Sequence, residues 1–523
     1  MIRQSGRLLT LLLALLLLGA PLPFGGVTPW AEALLRGACF AALLVAAAAV
    51  ERLDELRPAA LPAAALAGMA LLALLQAAPL PAGLVGALSP EHASLERQAA
   101  QLTAVENDSV GPEPATDGPP ATRAEEPARL TLSATASRSA AVGWAAAGAL
   151  LLAAGAAGSR RVQRRWLAAA LLAGGLFQVF FGARDWFARS QTLWGVELPA
   201  TAVRLRGTFV NPNHVAVYLE MVLPVAFAWG CWAARRARDE PQLERRLLLV
   251  APPVMLWLTL FAGLSFSGSR AGLLAAVAAV TLQGFLAAQV RRRWWLAPLG
   301  ALAALAGLAV IASIGFREGL GRWLTTSAAD VSLGARLREY GAVLELWGRF
   351  PVLGSGIGTF RDAFPLVQPR ELQGTWWHPH SDLLEVLATA GLAGAVLLAA
   401  GVAVLVRRLA RVLVEGSRSE DRAAALAAFG ALASLCVHEA VDFGLTMPGN
   451  AVTLVVLLGS ATAARLRQPS TQLDGAGEDL AAIQALELQD MEPAPERRSH
   501  PKRQRRSPRR PHRKGAHGGA VEP

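Results

Sequence analysis

Residues 247–290 read LLLVAPPVMLWLTLFAGLSFSGSRAGLLAAVAAVTLQGFLAAQV, with Arg245 and Arg246 before them and Arg291 to Arg293 after them. Each apolar half is about twenty residues long, which as an α-helix rising about 1.5 Å per residue crosses the roughly 30 Å of bilayer hydrocarbon. The break between the halves, Ser265-Phe-Ser-Gly-Ser-Arg270, is so short that Arg270 stays at the membrane surface where it emerges. The stretch reads as a transmembrane hairpin whose far ends are both held by arginines on one side of the membrane.

Working outward, apolar runs of similar length recur near 8–24, 31–50, 59–80, 140–158, 166–182, 213–233, 247–267, 271–290, 294–314, 383–406, 425–445 and 447–464, which predicts twelve spans. A composition 53% hydrophobic and 17% charged excludes an ordinary soluble domain, and 14 Trp against 2 Tyr suits indoles at a membrane interface. Alternate loops are arginine-rich, at Arg160, Arg161, Arg164 and Arg165, at Arg235 to Arg246, at Arg291 to Arg293, and at Arg407, Arg408 and Arg411. This positive-inside pattern puts both termini in the cytoplasm and loops 81–139, 183–212 and 315–382 outside. Arg3 and Arg7 before a leucine run also fit a signal peptide, whose removal would leave eleven spans.

The expected fold is all-α and polytopic, in a bacterial inner membrane. Residues 1–87 form N-terminal membrane helices, 88–139 a disordered periplasmic loop, 140–464 the membrane core with a long outer loop at 315–382, and 465–523 a disordered basic tail. The net charge of +11 is concentrated in the helix-end arginines and that tail, which suits the anionic cytoplasmic leaflet better than a nucleic acid. Cys39, Cys231 and Cys436 lie in apolar stretches without metal-ligand spacing, so neither a disulfide framework nor a zinc site is indicated.

Charged groups at membrane depth need a partner or a polar cavity, which singles out four places. Arg206-Gly-Thr-Phe-Val-Asn-Pro-Asn-His214 opens the sixth span, with Glu220 further on. Asn211 and Asn213 suit the helix N-terminus, His214 and Tyr218 share a face, and an arginine beside a helix start makes an anion site. Arg270 sits alone at the outer surface, where it either binds a lipid-linked headgroup or snorkels to lipid phosphates. In the long loop, Arg336 and Arg338 fall on a helix, the glycines of Pro351-Val-Leu-Gly-Ser-Gly-Ile-Gly-Thr-Phe360 form tight turns, and His378-Pro-His-Ser-Asp-Leu-Leu-Glu385 offers a general base in His378 or His380. Those glycines lack the Lys-Ser/Thr of a phosphate loop, and two histidines alone make a poor metal site. His438 and Asp442 share a helix face in the eleventh span and suit a supporting ion pair.

In order and spacing over residues 166–464, these motifs resemble the O-antigen ligase and O-antigen polymerase superfamily. The resemblance implies a C-type glycosyltransferase that moves a glycan from an undecaprenyl-pyrophosphate carrier to an acceptor hydroxyl on the periplasmic face, without a metal or other cofactor. It implies that Arg206 and Arg270 bind pyrophosphate and that Arg336 matches a further arginine, with Tyr340 where the family usually has Trp. It makes His380 the loop base, although Ser381 in place of the common Asn leaves His378 open. The acceptor is a lipid A core, another glycan or a protein hydroxyl, so ligase and polymerase both remain. A transporter or flippase, or a noncatalytic scaffold, is the alternative from another class, but the polar residues cluster at the outer interface and not at the midplane.

Overall fold

The computed structural model describes residues 2–109, 128–198, 204–290 and 331–466. All of them lie in one compact unit, Met1–Arg467. The ninth expected span, 294–314, and nearly all of the basic tail fall outside the described residues. The other eleven expected spans are all helices: α1 (Ile2–Gly19), α2 (Pro29–Ala49), α3 (Arg57–Ala77), α6 (Ala134–Gly158), α7 (Arg161–Phe187), α8 (Pro212–Arg238), α9 (Leu243–Phe266), α10 (Arg270–Val290), α13 (Asp382–Glu415), α14 (Ser419–His438) and α15 (Pro448–Thr462). Eight of these are long and apolar enough to cross a membrane. The chain is therefore a multi-pass, all-α membrane protein, whose described strands are the two-residue β1 (Thr192–Leu193) and β2 (Val196–Glu197).

Lipid supplies little hydrophobic drive for helix association, so close packing of small residues takes its place. The last turn of α6, Gly-Ala-Ala-Gly158, shows the consequence: a Cβ on Gly158 would run into the backbone of Ser460 in α15. The largest core cluster among the described residues joins α1 to α3, α6 to α10 and α13 to α15.

The expected disorder of 88–139 needs correction. The short helix α4 (Ala82–Leu88) leads into α5 (Pro90–Ser109), and residues 128–133 are ordered before α6; residues 110–127 lie outside the described residues. The stretch lacks an apolar period, but it is rich in helix formers behind Pro90 and Glu91 in the first turn. Its start is also pinned: the His92 ring contacts Ser89 Oγ at 2.7 Å and packs 4.6 Å from the Phe350 ring. Such anchors are tertiary, so no local pattern announces them.

The long outer loop forms α11 (Val331–Arg349), the 351–358 segment and the one-turn α12 (Phe360–Ala363). Its glycine stretch does more than turn. Helix α13 breaks at Gly391, with φ 63 and ψ −167, a conformation essentially restricted to glycine. The amides and carbonyls that the break frees are paired with the glycine stretch. Ser355 N donates to Ala388 O at 3.0 Å and Gly356 N to Thr389 O at 3.0 Å, while Leu392 N donates to Pro351 O at 2.9 Å and Ala393 N to Val352 O at 2.9 Å. Buried Gln76 of α3 closes the joint, donating to Leu353 O at 2.6 Å and accepting from Ile357 N at 2.9 Å. Gly391→Ala would both strain the backbone and drive a Cβ into Val352 and Gly354. It is expected to cost about 3 kcal/mol of stability, read as a lowered thermal midpoint of the detergent-purified protein.

Candidate functional site

The helix directions separate two ends of the bundle. At one end Arg161 and Arg165 pair with Glu420, Arg164 pairs with Asp421, and α8 finishes in Arg235, Arg236 and Arg238. At the other end five stretches meet: the start of α8, the α9–α10 turn, α11, residues 378–381, and the link from α14 to α15. All the sequence-selected candidates lie in or just below this second group.

Asn211 caps α8, accepting from Asn213 N at 2.9 Å. The Asn213 side chain is left to bridge: its Oδ1 accepts from Arg204 Nη2 at 2.8 Å and its Nδ2 donates to Asp442 Oδ2 at 2.8 Å. Arg204 also donates to the Ser267 carbonyl in the turn that leads into Arg270, the first residue of α10. From the opposite side Arg336 donates to Val441 O at 3.0 Å and lies 4.0 Å from Asp442. Two arginines more than a hundred residues apart in sequence are thus tied to one Asn–Asp pair, with a third at the adjoining turn. Burial would raise the Asp442 carboxyl, but the imidazoles of His438 and His214, the Phe443 amide and Arg336 more than offset it and keep it below the usual range.

Three imidazoles surround the Phe443 ring. Its centroid is 5.1 Å from that of His214, 5.5 Å from His378 and 5.4 Å from His380. His380 is fixed at three points: its Nδ1 contacts Glu339 Oε2 at 2.9 Å, its amide donates to Glu339 Oε1 at 3.2 Å, and its carbonyl accepts from Tyr340 Oη at 2.6 Å. Glu339 is fully buried, whereas the His380 side chain retains 28% exposure. A carboxylate on Nδ1 places the neutral ring's proton there and leaves Nε2 with its lone pair.

His378 also meets a carboxylate, with Nδ1 2.9 Å from Glu385 Oε2. Burial pulls this imidazole down, but the hydrogen bond and charge of Glu385, then Asp382, outweigh it and hold it above its ordinary 6.5. A raised value favours the cation, and a protonated His378 has no lone pair with which to take a further proton. The pairing adds stability that is complete below the unfolded pKa of about 6.5 and is lost as pH rises through the raised folded value. Glu385→Gln is therefore expected to lower the thermal midpoint by about 1–3 °C in mildly acid solution, with the gap closing as the solution becomes alkaline.

The link carrying Phe443 is clamped to the histidine segment. Ser381 caps α13 and donates its hydroxyl to Glu439 O at 3.1 Å, Asp382 N donates to Asp442 O at 3.2 Å, and Asp382 Oδ2 accepts from Leu445 N at 2.9 Å. Burial, then the neighbouring Asp382 charge, push the Glu439 carboxyl well above the usual carboxylate range. Its Oε2 also accepts from Gly444 N at 2.8 Å.

Several sequence expectations change here. Arg206 is only 6% exposed and gives its guanidinium to Ser190 O at 2.8 Å, beside the β1–β2 hairpin, while Arg204 reaches the Asn213–Asp442 pair. Arg338 is exposed on α11. Helix α14 stops at His438, so Asp442 does not share a helix face with it; the turn still leaves His438 Nε2 3.9 Å from Asp442 Oδ2. Deeper in the bundle the other nitrogen, Nδ1, contacts Glu220 Oε2 at 2.7 Å, with both side chains fully buried. Sequence reasoning missed Arg204, Glu339, Phe443 and the Asp382–Glu439 pair. For Glu339 a weak signal existed, a lone acid between Arg338 and Tyr340 in a segment already under suspicion. Among the described residues no group of three or more His, Cys, Asp or Glu side chains is arranged to hold a metal ion.

Compared with known protein families, residues 254–399 match the family described as O-antigen ligase. The match takes in Arg270, Arg336, Arg338, His378 and His380 and leaves Arg206, His214, Glu220, His438 and Asp442 outside it. No curated protein matches the chain.

Proposed function

With an O-antigen ligase domain over residues 254–399 of a multi-pass membrane protein, we propose that this chain transfers a glycan from an undecaprenyl-pyrophosphate carrier to an acceptor hydroxyl at the periplasmic face of the inner membrane. The observation that carries the reading is a histidine whose Nδ1 is held by a buried carboxylate, at the end of the bundle where Arg204, Arg270 and Arg336 also gather. In the reaction a C–O bond forms between the acceptor oxygen and the sugar's anomeric carbon as the bond from that carbon to the carrier pyrophosphate breaks. The acceptor proton passes to His380 Nε2, and Glu339 stabilises the imidazolium that results. Negative charge develops on the leaving pyrophosphate, where the forked, permanently charged arginines stabilise it. His378, whose cation Glu385 favours, packs against the same Phe443 ring as His380. The arginine-rich end would face the cytoplasm, in keeping with the positive-inside pattern. The acceptor is a lipid A core, a further carrier-linked repeat or a protein hydroxyl, according to whether the enzyme acts as a ligase or a polymerase.

The test supplies detergent-purified protein with an undecaprenyl-pyrophosphate-linked glycan, with and without chelator, and follows release of carrier pyrophosphate against a panel of acceptors. Release that requires an acceptor hydroxyl and persists in chelator is expected, and the productive acceptor separates ligase from polymerase. Absence of release by well-folded protein across several glycans and acceptors would overturn the assignment in favour of transport or scaffolding.

A further inference from the structure

The stretch that leads into the loop histidines is pinned to the protein. Gln368 Nε2 donates to Gly374 O at 3.0 Å and also to Leu372 O, and Leu372 is buried in a cluster with Phe350, Phe360 and Phe364. Trp376 packs 6.0 Å from the Phe364 ring and meets the His380 imidazole edge-on at 5.5 Å. Its neighbour does the reverse: Trp377 is 60% exposed. An indole left so open forgoes one of the largest apolar gains a side chain offers, and here it stands on a fixed segment. One face of it carries the guanidinium of Arg361, 3.9 Å from the ring centroid. Arg361 is exposed and belongs to the one-turn α12, anchored by Phe360 and Phe364, whose rings stack at 5.0 Å inside the same cluster. A ring covered on one face and still 60% exposed has its opposite face open to solvent.

A flat apolar face bordered by a guanidinium and by exposed Asp362, Gln373 and Thr375 suits a ligand that is apolar on one side and hydroxylated around its edge. A pyranose is such a ligand, with C–H groups gathered on a ring face and hydroxyls at the rim. We propose that Trp377 and Arg361 form a carbohydrate subsite, in which a pyranose of the glycan substrate stacks on the open face of the indole and the exposed polar groups beside it bond the sugar's hydroxyls. This deepens the transferase reading and rests on it: His378 follows Trp377 directly, about 3.8 Å away between Cα atoms, so a sugar stacked there lies beside the histidine cluster. A donor glycan and a sugar acceptor share this chemistry. An indole seated among lipid headgroups is the other use of an exposed Trp, but the exposed residues nearest in α12 and the loop, Arg361, Asp362, Glu371 and Gln373, mix both signs of charge and suit hydroxyls better than acyl chains.

The experiment has two arms, both on the detergent-purified full-length protein. In the first, donor glycan and acceptor are varied separately while carrier pyrophosphate release is followed. Trp377→Ala is expected to raise KM for one of them about tenfold, the loss falling on KM more than on kcat, and the affected substrate identifies the source of the stacked sugar. Trp377→Phe should recover most of the loss, and Arg361→Gln should raise the same KM about threefold, the weight of an exposed cation–π contact. Trp30, 64% exposed at the start of α2, supplies the control for interfacial anchoring, and Trp30→Ala is expected to behave as the wild type. In the second arm, saturation-transfer NMR follows binding of the oligosaccharide freed from its carrier by mild acid, and of the acceptor sugar, with no turnover required. Trp377-dependent binding by a protein that releases no pyrophosphate would keep the subsite and sink the transferase reading alone. Release with both KM values unchanged in Trp377→Ala, losses matched by Trp30→Ala, or saturation transfer to neither glycan would overturn the subsite.

Discussion

Replacing His380 by alanine is expected to lower acceptor-dependent release of carrier pyrophosphate by at least about a hundredfold, the low end of what a positioned general base contributes. The loss should fall on kcat, because the proton moves only as the acceptor oxygen attacks, and donor KM should change little. Glu339→Gln provides the sharper comparison. The amide can still meet the ring but not its charge, so release should fall by about tenfold or more, again in kcat, with the thermal midpoint close to that of the wild type. Glu385→Gln bears on the other histidine. A small kinetic effect there beside a large one at Glu339 would assign the base to His380, and the reverse would assign it to His378. If His380→Ala leaves release intact in well-folded protein, the loop histidines are not the base and the proposed chemistry fails.

The second large effect is expected at Arg270. Arg270→Ala should reduce release by about a hundredfold or more, the scale seen when a donor to developing negative charge is removed. Arg270→Lys should recover little, because an ammonium keeps the charge but loses the planar fork that matches two phosphate oxygens. Arg204→Ala and Arg206→Ala extend the comparison to residues the structure treats differently. Arg204 is bonded to the Asn213–Asp442 pair, whereas Arg206 is spent on the Ser190 carbonyl. Loss of activity at Arg204 with a normal thermal midpoint, and loss of stability at Arg206, is the outcome the geometry favours. The opposite pattern would return the pyrophosphate contact to Arg206.

What was legible in the sequence follows from the range over which each signal acts. Twenty apolar residues need a bilayer wherever they occur, and arginines cost more to move across it than to leave behind, so the membrane architecture and the end carrying Arg270 and the loop histidines follow from local composition. Helix α5 was missed because it has no apolar stripe, and its anchor at His92 depends on Phe350 and Ser355, more than 250 residues away. The glycines of the 351–358 stretch were legible as special backbone. That they serve a broken helix was not, since the break at Gly391 lies in an otherwise ordinary apolar run.

The same distinction divides the candidate site. The sequence by itself determined that this is a multi-helix membrane protein and which segments carry arginine, histidine and acid near the membrane surface, because hydropathy and residue type act one segment at a time. Only the tertiary structure decided that Glu339 holds His380, that Arg204 and not Arg206 meets Asn213, and that Phe443 gathers three imidazoles. Hydrogen bonds act over about 3 Å, and which groups come that close is set by how α8, α11, α13 and α14 pack, not by any spacing along the chain.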